Sequence, residues 1–426
     1  MIDQTYQQVG GDLLASVNPH TEESAVTTTD SIRGIPLWDG HAYRGASSLE
    51  WSGDRIEAVE SHDEVLDGYS VIPGLIDTHV HLGAYSGSGR ADWSSWPLIT
   101  PWEEQVFHIA NNAQKAARAG VTTLRDLSGD ERQLAVKRAF DEGIQQGPRI
   151  LVHGAVGMTA GHGDLFIPPH YPHRGRTADS PDECRKLVRE YARMGADGIK
   201  IFTTGGVLSM GDKVGWRNQT LDEIRATIDE AHALSMPVAA HSHSAEGNEI
   251  ALSVGVDSIE HGTGLEPDQW DRLIERNISV APTLLINDAI ADGRVAVGEE
   301  AQAKAKDVVA YRDSLFGDAG RAGIRFVLGT DANGVFVQFG DQMEEVRLMA
   351  RMFGWTAERA LRAATSDAAD VVRMSDRIGS LAPGHGADFV VLRGRPWEDI
   401  EDLRLENIVA VVSRGRLVHG ELPTAG

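Results

Sequence analysis

His79 and His81 stand two residues apart at the end of Val71-Ile-Pro-Gly-Leu-Ile-Asp-Thr-His-Val-His-Leu82. On a β-strand, residues i and i+2 point the same way. Both imidazoles therefore project together from one strand end, as a metal site requires. The plainer alternative is a pair of half-buried histidines bonded to backbone, since an unbonded buried imidazole is costly. Four more residues widen the pattern: Lys200 in Gly198-Ile-Lys-Ile-Phe202, His241 in Ala239-Ala-His-Ser-His243, His261 in Ile259-Glu-His-Gly262, and Asp331 in Leu328-Gly-Thr-Asp-Ala332. Taken singly, a strand histidine is usually a hydrogen-bonded core residue, and a strand-end aspartate often caps the next helix. A lysine within an apolar run is harder to dismiss. An unpaired buried ammonium is very unfavourable, so Lys200 needs a counter-charge or a chemical modification. As a set, imidazoles plus a carboxylate suit zinc and similar divalent ions. Near this set, His162 lies between glycines in Met158-Thr-Ala-Gly-His-Gly-Asp164, on flexible backbone close to where a substrate would lie. His243, two residues after His241, shares its face; it either supports a ligand or meets substrate. Asp77 shares a face with His79 and His81, and either orients a ligand histidine or bonds backbone. Arg90, in the Trp-rich stretch after the histidine pair, either pairs with a substrate carboxylate or is a surface residue.

These residues need a frame that gathers strand ends. The middle of the chain alternates short apolar strands with amphipathic helices, the mark of a parallel α/β fold. Strand candidates are 71–82, 122–127, 149–153, 198–202, 237–241, 258–261, 279–285 and 326–331. Helical patterns cover 103–119, 182–194, 221–234 and 307–322. Eight βα units in roughly 300 residues predict a (β/α)8 TIM barrel, whose active site lies at the C-terminal ends of its strands. The alternative, a doubly wound open sheet, lacks the Gly-x-Gly-x-x-Gly fingerprint of a dinucleotide fold. Strand-and-turn patterns at both ends predict a small β-sandwich built from the two termini. The expected division is 1–70 for an N-terminal arm and part of the sandwich, 71–375 for the barrel, and 376–426 for the rest of the sandwich. The polar, Ala/Gly-rich segment 287–302 is a candidate lid.

Composition narrows the class. The 426 residues are 41% hydrophobic and 24% charged, ordinary for a globular protein. A formal net charge of −23 argues against nucleic acid or an anionic membrane as partner. No apolar stretch reaches the ~18 residues that span a bilayer. The first residues lack a signal peptide's basic region and apolar core. The single cysteine, Cys184, allows no internal disulfide and fits a reducing cytoplasm.

With these motifs in place, the chain resembles the amidohydrolase superfamily from about residue 34 onward. The loops around His162 and after Phe202 resemble its prolidase-like and imidazolonepropionase-related group, which includes Xaa-Pro dipeptidase-like and ochratoxin amidase-like enzymes. The resemblance implies two divalent metal ions, zinc first, with manganese and cobalt also suited. His79, His81 and Asp331 would hold the inner ion, and His241 and His261 the outer one. Lys200, carboxylated by carbon dioxide, would bridge them. It implies attack by an ionised bridging water on an amide, peptide or carbamate carbonyl, with Asp331 moving the proton. His162 would hydrogen-bond the carbonyl or oxyanion, and Val207 and Leu208 would line the pocket. A homo-oligomer acting on a small-molecule substrate is implied as well. Two other functions compete: cyclic-amide hydrolysis or heterocycle deamination, and a non-enzymatic binding barrel. Lys200 speaks against deaminases, which generally hold one metal and lack that lysine. The intact ligand set speaks against a retired barrel.

Overall fold

The computed structural model describes residues 29–85, 92–162, 170–171 and 174–424. Its strands are β1 (Asp30–Trp38), β2 (Tyr43–Ser52), β3 (Arg55–Ser61), β4 (Ser70–Pro73), β5 (Leu75–Val80), β6 (Val121–Asp126), β7 (Arg149–Ala155), β8 (Gly198–Phe202), β9 (Val238–Ser242), β10 (Ser258–His261), β11 (Ser279–Ala281), β12 (Phe389–Leu392), β13 (Ile408–Ser413) and β14 (Arg416–Gly420). They form two seven-stranded sheets. One runs β14-β13-β12-β4-β1-β2-β3, drawn from both ends of the chain, and the other runs β11-β10-β9-β8-β7-β6-β5.

The second sheet is parallel throughout. Side-chain alternation explains its two faces. Ile199 and Ile201 of β8, Val238 and Ala240 of β9, and Ile259 of β10 pack with Leu187, Val188, Ile224 and Ile228 of the outer helices. The residues between them, Lys200, His241, Ser258 and Glu260, are buried on the opposite face, inside the barrel. Helices follow the strands with ordinary end signals. Helix Pro181–Met194 begins on Ser180, whose hydroxyl accepts from Glu183 N, and ends on Gly195 at φ 91°. Helix Leu221–Ala233 opens with a Thr220/Glu223 capping box.

Three expected strands differ from the sequence reading; one of them, 279–285, is a strand only to Ala281. The run 71–82 is two strands, not one. Gly74 N donates to Asp388 O in the terminal sheet, while Leu75 N donates to Gly120 O in the barrel, each at 2.9 Å. The chain changes sheets at that peptide. A Cβ at Gly74 would fall 2.2 Å from Thr122 Oγ1, so glycine permits the close crossing. The run 326–331 is not a ladder strand, yet it closes the barrel. Val327 N donates to Val280 O of β11; Leu328 O accepts from Thr78 N of β5; His81 N donates to Ala332 O. Its regular pairing is lost because Leu328 N turns outward to Ala363 O at 2.9 Å, and because Asp331 adopts φ 58°. The fold is thus a (β/α)8-type barrel with seven ladder strands and an irregular eighth.

The expected sandwich is a single sheet folded over itself. Trp51 of β2 meets Phe389 of β12 edge-on, with ring centroids 5.0 Å apart. Between them lies a separate apolar core that includes Ile35, Leu37, Leu49, Val71 and Val412. Among the described residues, no helix is long and apolar enough to cross a membrane.

Candidate metal centre and substrate cavity

At the C-terminal mouth of the barrel lies a cavity of about 260 Å³. His79, His81, Lys200, His241, His261 and Asp331 all line it, as do His162, His243, Val207 and Leu208. Arg90 falls outside the described residues. His79 Nε2 and His81 Nε2 are 3.4 Å apart, and Asp331 Oδ1 lies 3.7 Å from the first and 3.2 Å from the second. His79, His261 and Asp331 each offer a ligand atom within 4.8 Å of the others, and so do His241, His243 and His261. His243 thus stands at ligand distance, a place neither expectation gave it.

The imidazoles are aimed by their far nitrogens. His241 Nε2 donates to Gly205 O at 3.0 Å. His261 Nδ1 lies 2.7 Å from Thr283 Oγ1, His243 Nδ1 3.0 Å from Thr263 Oγ1, and His162 Nδ1 2.6 Å from Ser209 Oγ. His79 Nδ1 lies 2.9 Å from Glu260 Oε2, in a bent approach. Anchoring one nitrogen fixes the ring and leaves the other for the cavity. Three residues here pay for this geometry in backbone strain: His261 at φ 68°, Thr283 at φ 46° and Asp331 at φ 58°. A β-branched threonine in that region is a real outlier, of the kind that gathers at functional sites.

The protonation states suit ligation. Burial, reinforced by neighbouring imidazoles, holds His241 and His261 well below the usual histidine range. Burial and the Lys200 charge hold His79 at about 4. A metal needs such neutral imidazoles. Burial also lowers Lys200 to about 8, against the pull of Glu260 and Asp331. Asp331 stays ionised: burial opposes its charge, but His79, His81 and Lys200 outweigh it and hold the carboxyl at about 2.

Beneath the cavity, Arg125 donates to Thr78 O at 2.6 Å, to Ser258 Oγ at 3.2 Å and to Glu260 Oε1 at 2.8 Å. Glu260 thereby joins Arg125 to His79. Sequence reasoning missed Glu260, although its signal was present: a charge inside an apolar strand, as for Lys200. It also missed Ser209, Thr263 and Thr283, which carry no distinguishing local pattern. Asp77 is resolved as a backbone and side-chain anchor. It accepts from His79 N, Thr330 N, Thr330 Oγ1 and Gln342 Nε2, and it does not touch an imidazole ring. Cys184 is buried, and burial pushes its thiol up to about 11. The candidate lid 287–302 begins inside helix Leu284–Ala291, whose Ile286, Asn287 and Ile290 form one cavity wall.

A parallel barrel that converges imidazoles, a lysine and a carboxylate on one mouth has the frame of a barrel hydrolase. The amidohydrolase family model matches residues 70–418, and the chain belongs to that family. The ochratoxinase of Aspergillus niger is 29% identical over 365 residues, spanning 81% of this chain and 74% of that protein. A crystal structure of a Xaa-Pro dipeptidase with bound methionine in its active site is 31% identical, with a TM-score of 0.81 over 92% of this chain and 99% of its own. A prolidase complexed with N-methylphosphonate-L-proline is 29% identical, with a TM-score of 0.82 over 92% and 100%. The chain is a hydrolase of this family.

Proposed function

We propose that the protein is a binuclear metal-dependent amidohydrolase that cleaves a C–N bond in an apolar amide, peptide or carbamate. The observation that carries this reading is the single cavity lined by His79, His81, Lys200, His241, His261 and Asp331. His79, His81 and Asp331 would hold one ion and His241 and His261 the other, with Lys200 between them. Zinc best suits so imidazole-rich a set. Divalent ions there would supply Lewis acidity to a water and to the substrate carbonyl. Lys200, with its amine lowered to about 8, is partly neutral near physiological pH. Its lone pair can add to carbon dioxide, releasing a proton and giving an anionic two-oxygen ligand. Asp331, ionised and at the mouth, accepts the proton of the attacking water and returns it to the leaving nitrogen. His162 is neutral, held at about 4 chiefly by burial. With Ser209 donating to Nδ1, its Nε2–H is free to donate to the oxyanion.

The walls support an apolar substrate. Phe202, Val207, Leu208, Ile286, Ile290 and Val335 line the cavity, with Trp93 and Phe336 packed edge-on at 5.5 Å. Among the described lining residues there is no lysine or arginine besides Lys200.

The test is metal content and turnover of the native protein beside Lys200→Ala. The expected result is about two metals per chain in the native protein, with metal and activity both lost in the variant. One metal, with turnover unaffected by the substitution, would sink the reading. A screen of N-acyl amino acids, dipeptides and aryl carbamates would define the substrate.

A further inference from the structure

The loop after β8 touches the candidate site at four points. Gly205 O accepts from His241 Nε2. At Gly206 a Cβ would fall 1.9 Å from His162 Cε1, so the imidazole lies directly on that backbone. Val207 and Leu208 form cavity wall, and Ser209 Oγ bonds His162 Nδ1. His162 is in turn stacked on His241, with centroids 4.4 Å apart. The ring of His162 is therefore seated by the segment 205–209 on one side and by a candidate metal ligand on the other.

Among the described residues no strand ladder runs through this segment; an isolated bridge between Thr204 and Arg217, with Gly205 N donating to Trp216 O at 2.8 Å, holds its first residue only. The segment is held from outside by Lys304, on helix Glu299–Ala322. The ammonium donates to Ser209 O at 2.7 Å and to Asp212 Oδ1 at 2.8 Å, and it pairs with Glu300 at 2.9 Å. Its three N–H groups are saturated. Asp212 Oδ2 accepts from Gly206 N at 3.3 Å, and Glu300 Oε1 accepts from Gly211 N at 3.2 Å. Lys304 thus fixes the loop directly at Ser209 and, through Asp212, at Gly206. Those residues bracket the two that face the cavity. The side chains of Asp212 and Lys304 are only 5% and 12% exposed. Solvent screens such a pair weakly, and removing one partner strands the other charge.

We propose that Lys304, paired with Asp212, is a positioning residue that holds the 205–209 loop so that His162 and the Val207–Leu208 wall meet the substrate. The role assigned to His162 rests on the amide-hydrolysis reading; the clamp itself rests on the geometry alone. Lys304 touches neither substrate nor metal, so its loss should misplace the oxyanion donor and leave the metals in place. Misplacement of about 1 Å costs up to about a hundredfold in rate.

Hydrogen exchange tests the clamp without any substrate. In Lys304→Met, amides across 206–212 should exchange at least about tenfold faster, with β8 and β9 unchanged. Zinc-loaded protein then tests the consequence, with a neutral N-acyl p-nitroanilide as probe. Lys304→Met and Asp212→Asn should each lower kcat by about tenfold or more, with KM within about threefold and metal content unchanged. Lys304→Arg, which keeps the charge and the N–H donors, should retain most of the rate. Native-like exchange in Lys304→Met overturns the clamp. So does unchanged kcat, or a loss of metal that accounts for the loss of rate. If Lys304→Met does not fold, Asp212→Asn carries both measurements. If the native enzyme hydrolyses no amide, the functional reading falls, and exchange still decides the clamp.

Discussion

Glu260 shows how one buried side chain can serve two neighbours. One carboxylate oxygen meets Arg125 and the other meets His79. Burial works against its charge, but Arg125, His79 and Lys200 outweigh it and hold the carboxyl far below the usual range. Its permanent charge orients the His79 ring and raises the basicity of the nitrogen facing the cavity. Glu260→Gln keeps the size and removes the charge. The expected outcome is a loss of metal affinity of roughly 10- to 100-fold, read by competition with a chelator of known affinity. Unchanged affinity would show that Glu260 serves Arg125 alone. Lys200 stood out in the sequence because isoleucines flank it on both sides. Glu260 and Arg125 obey the same rule but were read past. Each adjoins a second titratable residue, His261 or Asp126, so the charge looked like part of a polar strand end. Ser209 and Thr283 could not be found this way. Their partners lie 47 and 22 residues distant and meet them only through loop paths.

At the scale of elements, period-two alternation located most of the barrel, because inward and outward residues differ sharply in chemistry. The expected limits of β8 and β10 match the structure. Alternation failed where the chain leaves one sheet for another, at Gly74, and where the eighth segment shares its donors with a helix. It failed again at 279–285, where β11 ends at Ala281 and a helix begins at Leu284. What fixes that helix comes from far along the chain. Glu345 accepts from Leu284 N at 2.6 Å and from Leu285 N at 2.9 Å. Burial pushes its carboxyl up to about 8, against those amides and Arg312. An unfolded glutamate titrates near 4.5. Between these values the folded state keeps a proton that the unfolded chain has released, so stability falls as pH rises across that window. Glu345→Gln should lack this component. Urea unfolding from about pH 5 to pH 8 should show the native protein losing stability relative to the variant. Parallel pH profiles would mean that the helix terminus keeps Glu345 ionised throughout.

At the scale of the whole molecule, the formal net charge of −23 and the apolar cavity act on substrates in the same direction. A surface so acidic repels anions over a Debye length, about 8 Å at physiological salt and longer in dilute buffer. Two bound divalent ions would offset only a small part of it. The cavity walls then offer hydrophobic contact, and on the proposed reading Lys200 would be taken up by the metal centre. A neutral aryl amide meets no long-range barrier, whereas an N-acyl amino acid approaches against the field. For the neutral probe, kcat/KM should be nearly flat from low ionic strength to about 0.3 M sodium chloride; for the carboxylate-bearing probe it should rise severalfold as salt screens the repulsion. The opposite slope, with the anionic probe losing kcat/KM as salt is added, would mean that local positive charge at the mouth outweighs the global field. That result would return Arg90 to the role of carboxylate partner and move the substrate class toward dipeptides and N-acyl amino acids.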